Sequence, residues 1–243
     1  NSFKENAEIV RNPLSLPDII HLENYIQAWT TGKFAKGFLN SVKLTGCTVI
    51  IVLICATLAG YVLAGKRIKG SGAVLMYFMV AMTVPIQLFL FPLYYAYAKM
   101  NLIGNIPATS VILSATYMPL AIFLMRTFFL NVPRELEEAA RIDGLGEVAI
   151  FIKIYVPVMR STFATGVIVS FMNIWNDYLW ALVCLQKKDS QTLPLLLSSV
   201  LDSYAIDYGQ MMLIASFTTL PLAIIFFTLQ KNFTQGITGA VKG

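Results

Sequence analysis

The chain has 243 residues, of which 57% are hydrophobic and only 13% charged, and its mean hydropathy is +0.68. That balance excludes an ordinary soluble domain of this size and marks an integral membrane protein. A net charge of +5 could point to nucleic acid, but the basic residues cluster between apolar runs in a pattern that reports membrane topology instead.

Residues 1–37 are mostly polar and contain the proline-rich NPLSLP (12–17) and the amphipathic HLENYIQAW (21–29). In the latter, Leu22, Tyr25, Ile26 and Trp29 recur at helical spacing, which predicts a helix lying against the outer ends of a bundle. Five apolar runs follow, at 44–64, 73–98, 103–125, 162–185 and 208–230. Each reaches the roughly 20 residues that a helix needs to cross the hydrocarbon layer, and only the fourth holds an ionisable residue, Asp177. Lipid offers no partner to an exposed backbone, so the spans are helices, and Pro85, Pro92, Pro119 and Pro221 within them imply kinks. Ala56, Gly60 and Ala64 recur every four residues in the first run, a row of small side chains that lets a second helix approach closely. The expected fold is all-α, a polytopic membrane bundle with five transmembrane helices in this sequence.

If the runs alternate in direction, Lys66, Arg67, Lys69, Arg126, Arg134, Arg141, Lys153, Arg160, Lys231 and Lys242 fall on one side. The short opposite loops hold only Lys99, Lys187 and Lys188, so the richer side is cytoplasmic. Residues 1–37 are then extracytoplasmic, 38–230 form the membrane domain, and 231–243 form a cytoplasmic tail. The polar outer segment cannot cross a membrane by itself, so an export helix is expected ahead of it, either a retained first helix or a cleavable signal peptide.

Cys47, Cys55 and Cys184 lie in apolar runs without CxxC spacing or a histidine cluster, and are expected to be small buried apolar residues. No metal site is expected. The spans hold no paired acids or histidines, and His21 has no nucleophile or ligand set in a recognisable arrangement, so the chain is not expected to be an enzyme. The stretch from Gly60 to Arg67 matches most of a phosphate-loop pattern, but it ends an apolar run instead of joining a strand to a helix.

Between the third and fourth runs the sequence predicts a helix over about residues 132–143, with Asn131 as N-cap, Pro133 in the first turn and Gly144 as its stop. Arg134 and Glu138 stand at i,i+4 and would support it. A second short helix runs from Glu147 until Pro157, completing a helix-turn-helix on the cytoplasmic face. Ala139 and Ala140 leave a surface there that a partner can approach. In the outer loop 186–207, LPLLLSSVL is apolar enough to dock as a short helix.

In the fourth run, Gly166, Ser170, Asn173, Asp177 and Trp180 are spaced by four, three, four and three, placing them on one helical stripe with Asn176 beside it. An acid at mid-membrane costs roughly 2.5 to 3.5 kcal/mol on insertion scales, so the stripe is expected to face protein or a watery cavity. Two roles fit it, an interhelical hydrogen-bond network or the lining of a pathway.

Glu138-Ala139-Ala140, three residues, Gly144, nine residues, Ile154, one residue, Val156 and Pro157 resembles the EAA loop of ABC importer permeases, departing from the pattern EAA-x3-G-x9-I-x-L-P only at Val156. Nearly the whole chain is similar to the carbohydrate-importer permeases of the maltose and multiple-sugar type, in particular the MalG-like subunit. HLENYIQAW, TVPIQ (83–87), WNDYLW (175–180), TLPLLL (192–197) and the terminal GAVKG (239–243) carry that likeness. The resemblance implies six transmembrane helices, one of them preceding this sequence, in the cell or inner membrane of a bacterium or archaeon. It implies a heterodimer with a second permease subunit, a cytoplasmic ABC ATPase dimer that holds ATP and magnesium, and an extracytoplasmic solute-binding protein that delivers a sugar. Cofactors are expected on the partners and none on this chain. Glu138, Ala139, Ala140, Gly144, Ile154 and Pro157 would couple to the ATPase, while Asn173, Trp175, Asn176, Asp177 and Trp180 would lie along the substrate path. Rival expectations are an ABC permease for a polyol or glycerol phosphate, an ion-coupled secondary transporter using Asp177, and a membrane receptor using the loop only as an adaptor.

Overall fold

The computed structural model describes the backbone of residues 1–30, 33–65, 68–201 and 208–241. Lys66, Arg67 and Lys242 of the charge pattern, residues 202–207 of the outer loop and the last two residues of GAVKG lie outside the described residues. Among the described residues all regular structure is helical. In chain order the helices are α1 (Asn6–Arg11), α2 (Glu23–Thr30), α3 (Lys33–Ala64), α4 (Ser71–Thr83), α5 (Gln87–Lys99), α6 (Ile106–Leu130), α7 (Arg134–Ile142) and α8 (Glu147–Ile150). A π-helical turn (Phe151–Tyr155) continues into α9 (Val156–Val158), followed by α10 (Arg160–Trp175), α11 (Leu179–Cys184), α12 (Leu193–Leu201) and α13 (Tyr208–Val241).

Three segments are long and apolar enough to cross a membrane unbroken, Phe34–Ala64, Ile106–Leu130 and Tyr208–Thr228, and the number rises to five if each of two broken pairs counts as one span. Helix α3 begins 11 residues ahead of the apolar run 44–64, because the polar side chains of its first turns bond to residues 189–193 of the outer loop. The second run is not one kinked helix: Val84 is extended (ψ 123°) ahead of Pro85, whose ring disfavours helical geometry in the preceding residue. Pro92, Pro119 and Pro221 do remain inside helices. The helical backbone of α13 runs on through the expected tail to Val241.

The chain forms two compact units. The first comprises residues 1–47, 89–112 and 174–224. The ring of Phe217 packs edge-on against Phe34 at 4.8 Å and Phe38 meets Trp175 at 6.1 Å between centroids. The Trp175 indole N–H donates to the Thr218 carbonyl of α13 at 2.8 Å. The amphipathic stretch folds as α2, with Tyr25 stacked on Phe3. The apolar outer loop does dock, as α12, with Leu193, Leu195 and Leu196 buried. Gly37 of α3 lies under the Leu196 side chain, and Ser41 Oγ accepts the Leu193 N–H at 2.9 Å. Asn40 donates to the carbonyls of Asp189 and Gln191, and Lys36 bonds the exposed Asp189 carboxylate at 2.8 Å.

The second unit comprises residues 48–88, 113–173 and 225–243. Its core includes Val52, Ala56, Leu63, Met125, Ile150 and Met159. The row of small residues works as the sequence predicts. Ala56, Gly60 and Ala64 are all buried, and a Cβ added at Gly60 would stand 2.8 Å from the Met125 Cβ and 2.9 Å from the Arg126 backbone nitrogen. The cysteines depart from expectation: Cys184 is buried, but Cys47 and Cys55 are exposed, on the face of α3 that this chain leaves uncovered.

Candidate functional site

The loop between α6 and α10 is built around one helix with two chemically different faces. Helix α7 starts at Arg134, two residues later than the sequence predicts, because Pro133 is extended (ψ 132°) and takes the N-cap position. It ends as predicted. Gly144 has φ +81°, its N–H bonds the Arg141 carbonyl, and the Leu145 N–H reaches back to the Ala140 carbonyl, each at 3.0 Å. This is the Schellman arrangement, in which a left-handed residue closes the orphan carbonyls of a helix end. Nothing lies within 4 Å of an added Cβ at Gly144, so backbone conformation, not space, requires the glycine.

Glu135, Glu138, Ala139 and Ile142 form the outer stripe of α7, and all four are exposed, Ile142 at 86%. Ala140 is buried in the core of its unit, so the two motif alanines serve opposite faces. The predicted Arg134–Glu138 pair does not form among the described residues. Its place is taken by Arg141, which donates to Glu137 at 2.8 Å one turn back and to Glu147 at 2.6 Å across the turn. Arg134, at the very start of α7, has no preceding turn to fix it. The Tyr155 hydroxyl donates to the second Glu137 oxygen at 2.5 Å, and the Tyr61 hydroxyl donates to Glu147 at 3.2 Å. Tyr61, Glu137, Arg141 and Tyr155 border a cavity of about 360 Å³ whose lining also includes Phe129, Arg134 and Glu138.

Beyond Gly146 the chain turns helical again at Glu147, as the sequence predicts, and continues through Pro157 to Val158 before bending by 75° into α10. The π-helical turn was not legible. It ends two residues before Pro157, whose missing N–H leaves the Lys153 carbonyl within the turn without its helical donor. Ile154 packs partly buried against the core and Pro157 is exposed.

The second group of candidate residues does not form one helical stripe. Helix α10 stops at Trp175 and α11 starts at Leu179, so Gly166, Ser170 and Asn173 precede a break and Asp177 lies within it. Gly166 and Ser170 are buried, whereas Asn173 and Asn176 are exposed, and the Asn173 amide bonds back to the Val169 carbonyl at 2.7 Å. Asp177 explains the break: its Oδ1 accepts the N–H groups of Trp180 at 3.1 Å and Ala181 at 3.4 Å, capping the first turn of α11. Trp175 and Trp180 are each 2% exposed and belong to the interior of the first unit.

Sequence reasoning did not single out Glu137, Glu147, Tyr61 or Tyr155. The i,i+4 spacing of Glu137 and Arg141 is visible in the sequence, but nothing there links Glu137 to a tyrosine 18 residues away.

Helical elements of this length and apolarity, with a short amphipathic helix between them, are those of a multi-pass membrane protein. Residues 56–239 match the family model described as binding-protein-dependent transport system inner membrane component, and the chain belongs to that family. It is thus a multi-pass membrane protein and the permease subunit of an ABC transport system, not itself an enzyme. The arabinooligosaccharides transport system permease protein AraQ of Halalkalibacterium halodurans is 34% identical over 100% of this chain and 88% of its own length. The lactose transport system permease protein LacG of Rhizobium radiobacter is 37% identical over 84% of this chain and 74% of its own. Among solved structures, a bacterial ABC transporter involved in import of the acidic polysaccharide alginate superposes with a TM-score of 0.81 at 22% identity, covering 96% of this chain and 87% of that one.

Proposed function

We propose that this chain is the membrane-spanning subunit of an ATP-driven, binding-protein-dependent sugar importer, and that residues 132–157 are where a cytoplasmic ATPase dimer drives it. The observation that supports the coupling role is the two-faced α7: Glu138, Ala139 and Ile142 are exposed on one side while Ala140 and Glu137 tie the other to the protein. An exposed isoleucine beside a carboxylate on a short rigid helix is suited to a groove in a partner, and the Gly144 stop holds it at a fixed angle. Sugar as cargo rests on relatives named for arabino-oligosaccharide and lactose transport.

The same assignment places the C-terminus in the cytoplasm and supplies a second permease subunit and an external solute-binding protein. Asn173 and Asn176, both exposed, are the residues of the WNDYLW region best able to meet a sugar hydroxyl, with Trp175, Asp177 and Trp180 fixing the helix break beside them.

Reconstitution of the purified complex in proteoliposomes tests this. ATP-dependent uptake of an arabino-oligosaccharide or lactose, with none of glycerol phosphate or a polyol, is the expected result. Uptake by this chain alone, driven by an ion gradient and indifferent to ATP, would refute it.

A further inference from the structure

The hydrogen bonds on the inner face of α7 close into a circuit. Tyr155 donates to Glu137, Glu137 pairs with Arg141, Arg141 pairs with Glu147, and Glu147 accepts from Tyr61. The circuit closes because the Tyr61 and Tyr155 rings meet edge to face, with centroids 5.1 Å apart. Four elements are thereby joined: α3 through Tyr61, α7 through Glu137 and Arg141, α8 through Glu147, and the π-helical turn through Tyr155. Phe129 at the end of α6 packs on the same two tyrosines, at 5.5 and 5.6 Å.

We infer that Glu137, and not the neighbouring motif residue Glu138, is the positioning residue that makes α7 and the inner end of α3 move as one body. This rests on the proposal that α7 receives the ATPase. The physical argument is one of stiffness. A nine-residue helix set between two turns, with Ala140 its one buried residue, would be able to rock if that residue alone anchored it. The short, charge-assisted bonds are those on Glu137, which is 19% exposed and holds Tyr155 at 2.5 Å and Arg141 at 2.8 Å. Arg141 and Glu147 are half exposed and the Tyr61 bond to Glu147 is long at 3.2 Å, so the stiffness rests mainly on Glu137. The edge-to-face contact of Tyr61 and Tyr155 brings the two ends of this chain of bonds together, so that its members support one another. Glu138 takes no part in it, which leaves its carboxylate available to a partner. The two adjacent glutamates divide the task, one facing the ATPase and one facing the membrane helices.

The test uses the assembled complex, purified with its ATPase, in a background where Cys47, Cys55 and Cys184 are alanine. Nitroxide labels at Leu136→Cys on α7 and Leu58→Cys on α3, both exposed positions, report the distance between the two helices. With Glu137 intact, the distance distribution is expected to be narrow and unchanged by ATP. In Glu137→Gln and in Tyr155→Phe, which removes a single hydroxyl, it is expected to broaden and to shift on adding ATP, with the ATPase still bound. The double variant should add little beyond either change alone, as members of one circuit require. ATP-driven transport per ATP hydrolysed should fall by roughly two- to thirtyfold in the same variants. Distances that stay narrow and insensitive to ATP in both variants would overturn the inference. So would loss of the ATPase from Glu137→Gln, which would put Glu137 in the docking contact. Failure of the docking proposal has a separate signature: the chain with Glu137 intact would bring down no ATPase at all.

Discussion

Two helix ends in this protein perform similar local chemistry, and only one of them could be read in advance. Helix α7 stops at Gly144, where a left-handed glycine lets two backbone N–H groups return to the carbonyls of Arg141 and Ala140. Helix α11 starts after Asp177, whose carboxylate takes the N–H groups of Trp180 and Ala181. The first lies between apolar runs, among charged residues, where a glycine has few meanings other than a turn. The second lies inside an apolar run of membrane length, where a carboxylate invites a functional explanation. The comparison teaches that a polar residue in a span can be there to end or begin a helix, because a helix end in lipid leaves orphan backbone groups that only protein can satisfy.

Three substitutions sharpen that comparison. The largest effect is expected from Gly144→Ala, since a side chain in the left-handed region costs roughly 1–2 kcal/mol. Exchange of the Leu145 amide, which bonds to the Ala140 carbonyl, should speed up by roughly five- to thirtyfold. Next comes Asp177→Ala, where loss of a carboxylate that caps the first turn of α11 from the residue before its N-cap, Tyr178, costs about 1 kcal/mol and should release the Trp180 and Ala181 amides to faster exchange by about fivefold. Asp177→Asn should leave them nearly as protected, because asparagine caps about as well. If the asparagine variant instead behaves like alanine while transport collapses in both, charge at Asp177 matters beyond the cap.

The smallest effect is expected at the outer loop. The hydrogen bond from Lys36, and then its positive charge, hold the Asp189 carboxyl below the usual carboxylate range. A lowered folded value stabilises above the unfolded carboxylate value, near 3.9, and that stabilisation is lost as pH falls through the folded value. Both groups are largely exposed, so solvent screens the pair. Asp189→Asn should therefore leave the thermal midpoint unchanged at neutral pH, and the wild type should lose this tether only in acid. A clear drop at pH 7 would show that the docking of α12 depends on this pair more than on Asn40 and Ser41.

Much of the architecture was legible. Apolar run length gave the long helices, the Ala56-Gly60-Ala64 row gave the close approach to Met125, and the apolar outer loop gave docked α12. The misses share a cause. Period counting assumes an unbroken helix, so it aligned Asn173 with Asp177 and Trp180 on one stripe across a break, where Asn173 is exposed and Trp180 buried. It also could not foresee that Glu137 would meet Tyr155, because that contact depends on the turn at Gly144 and the π-helical turn before Pro157 acting together.

The most direct test of the central claim is co-purification in mild detergent with mass spectrometry, comparing the unmutated chain with a Glu138→Arg, Gly144→Asp double variant. The account predicts that an ABC ATPase and a second permease accompany the unmutated chain, and that the variant keeps the permease and loses the ATPase. A variant that retains the ATPase in full would contradict the assignment of α7 as the surface through which ATP hydrolysis drives transport.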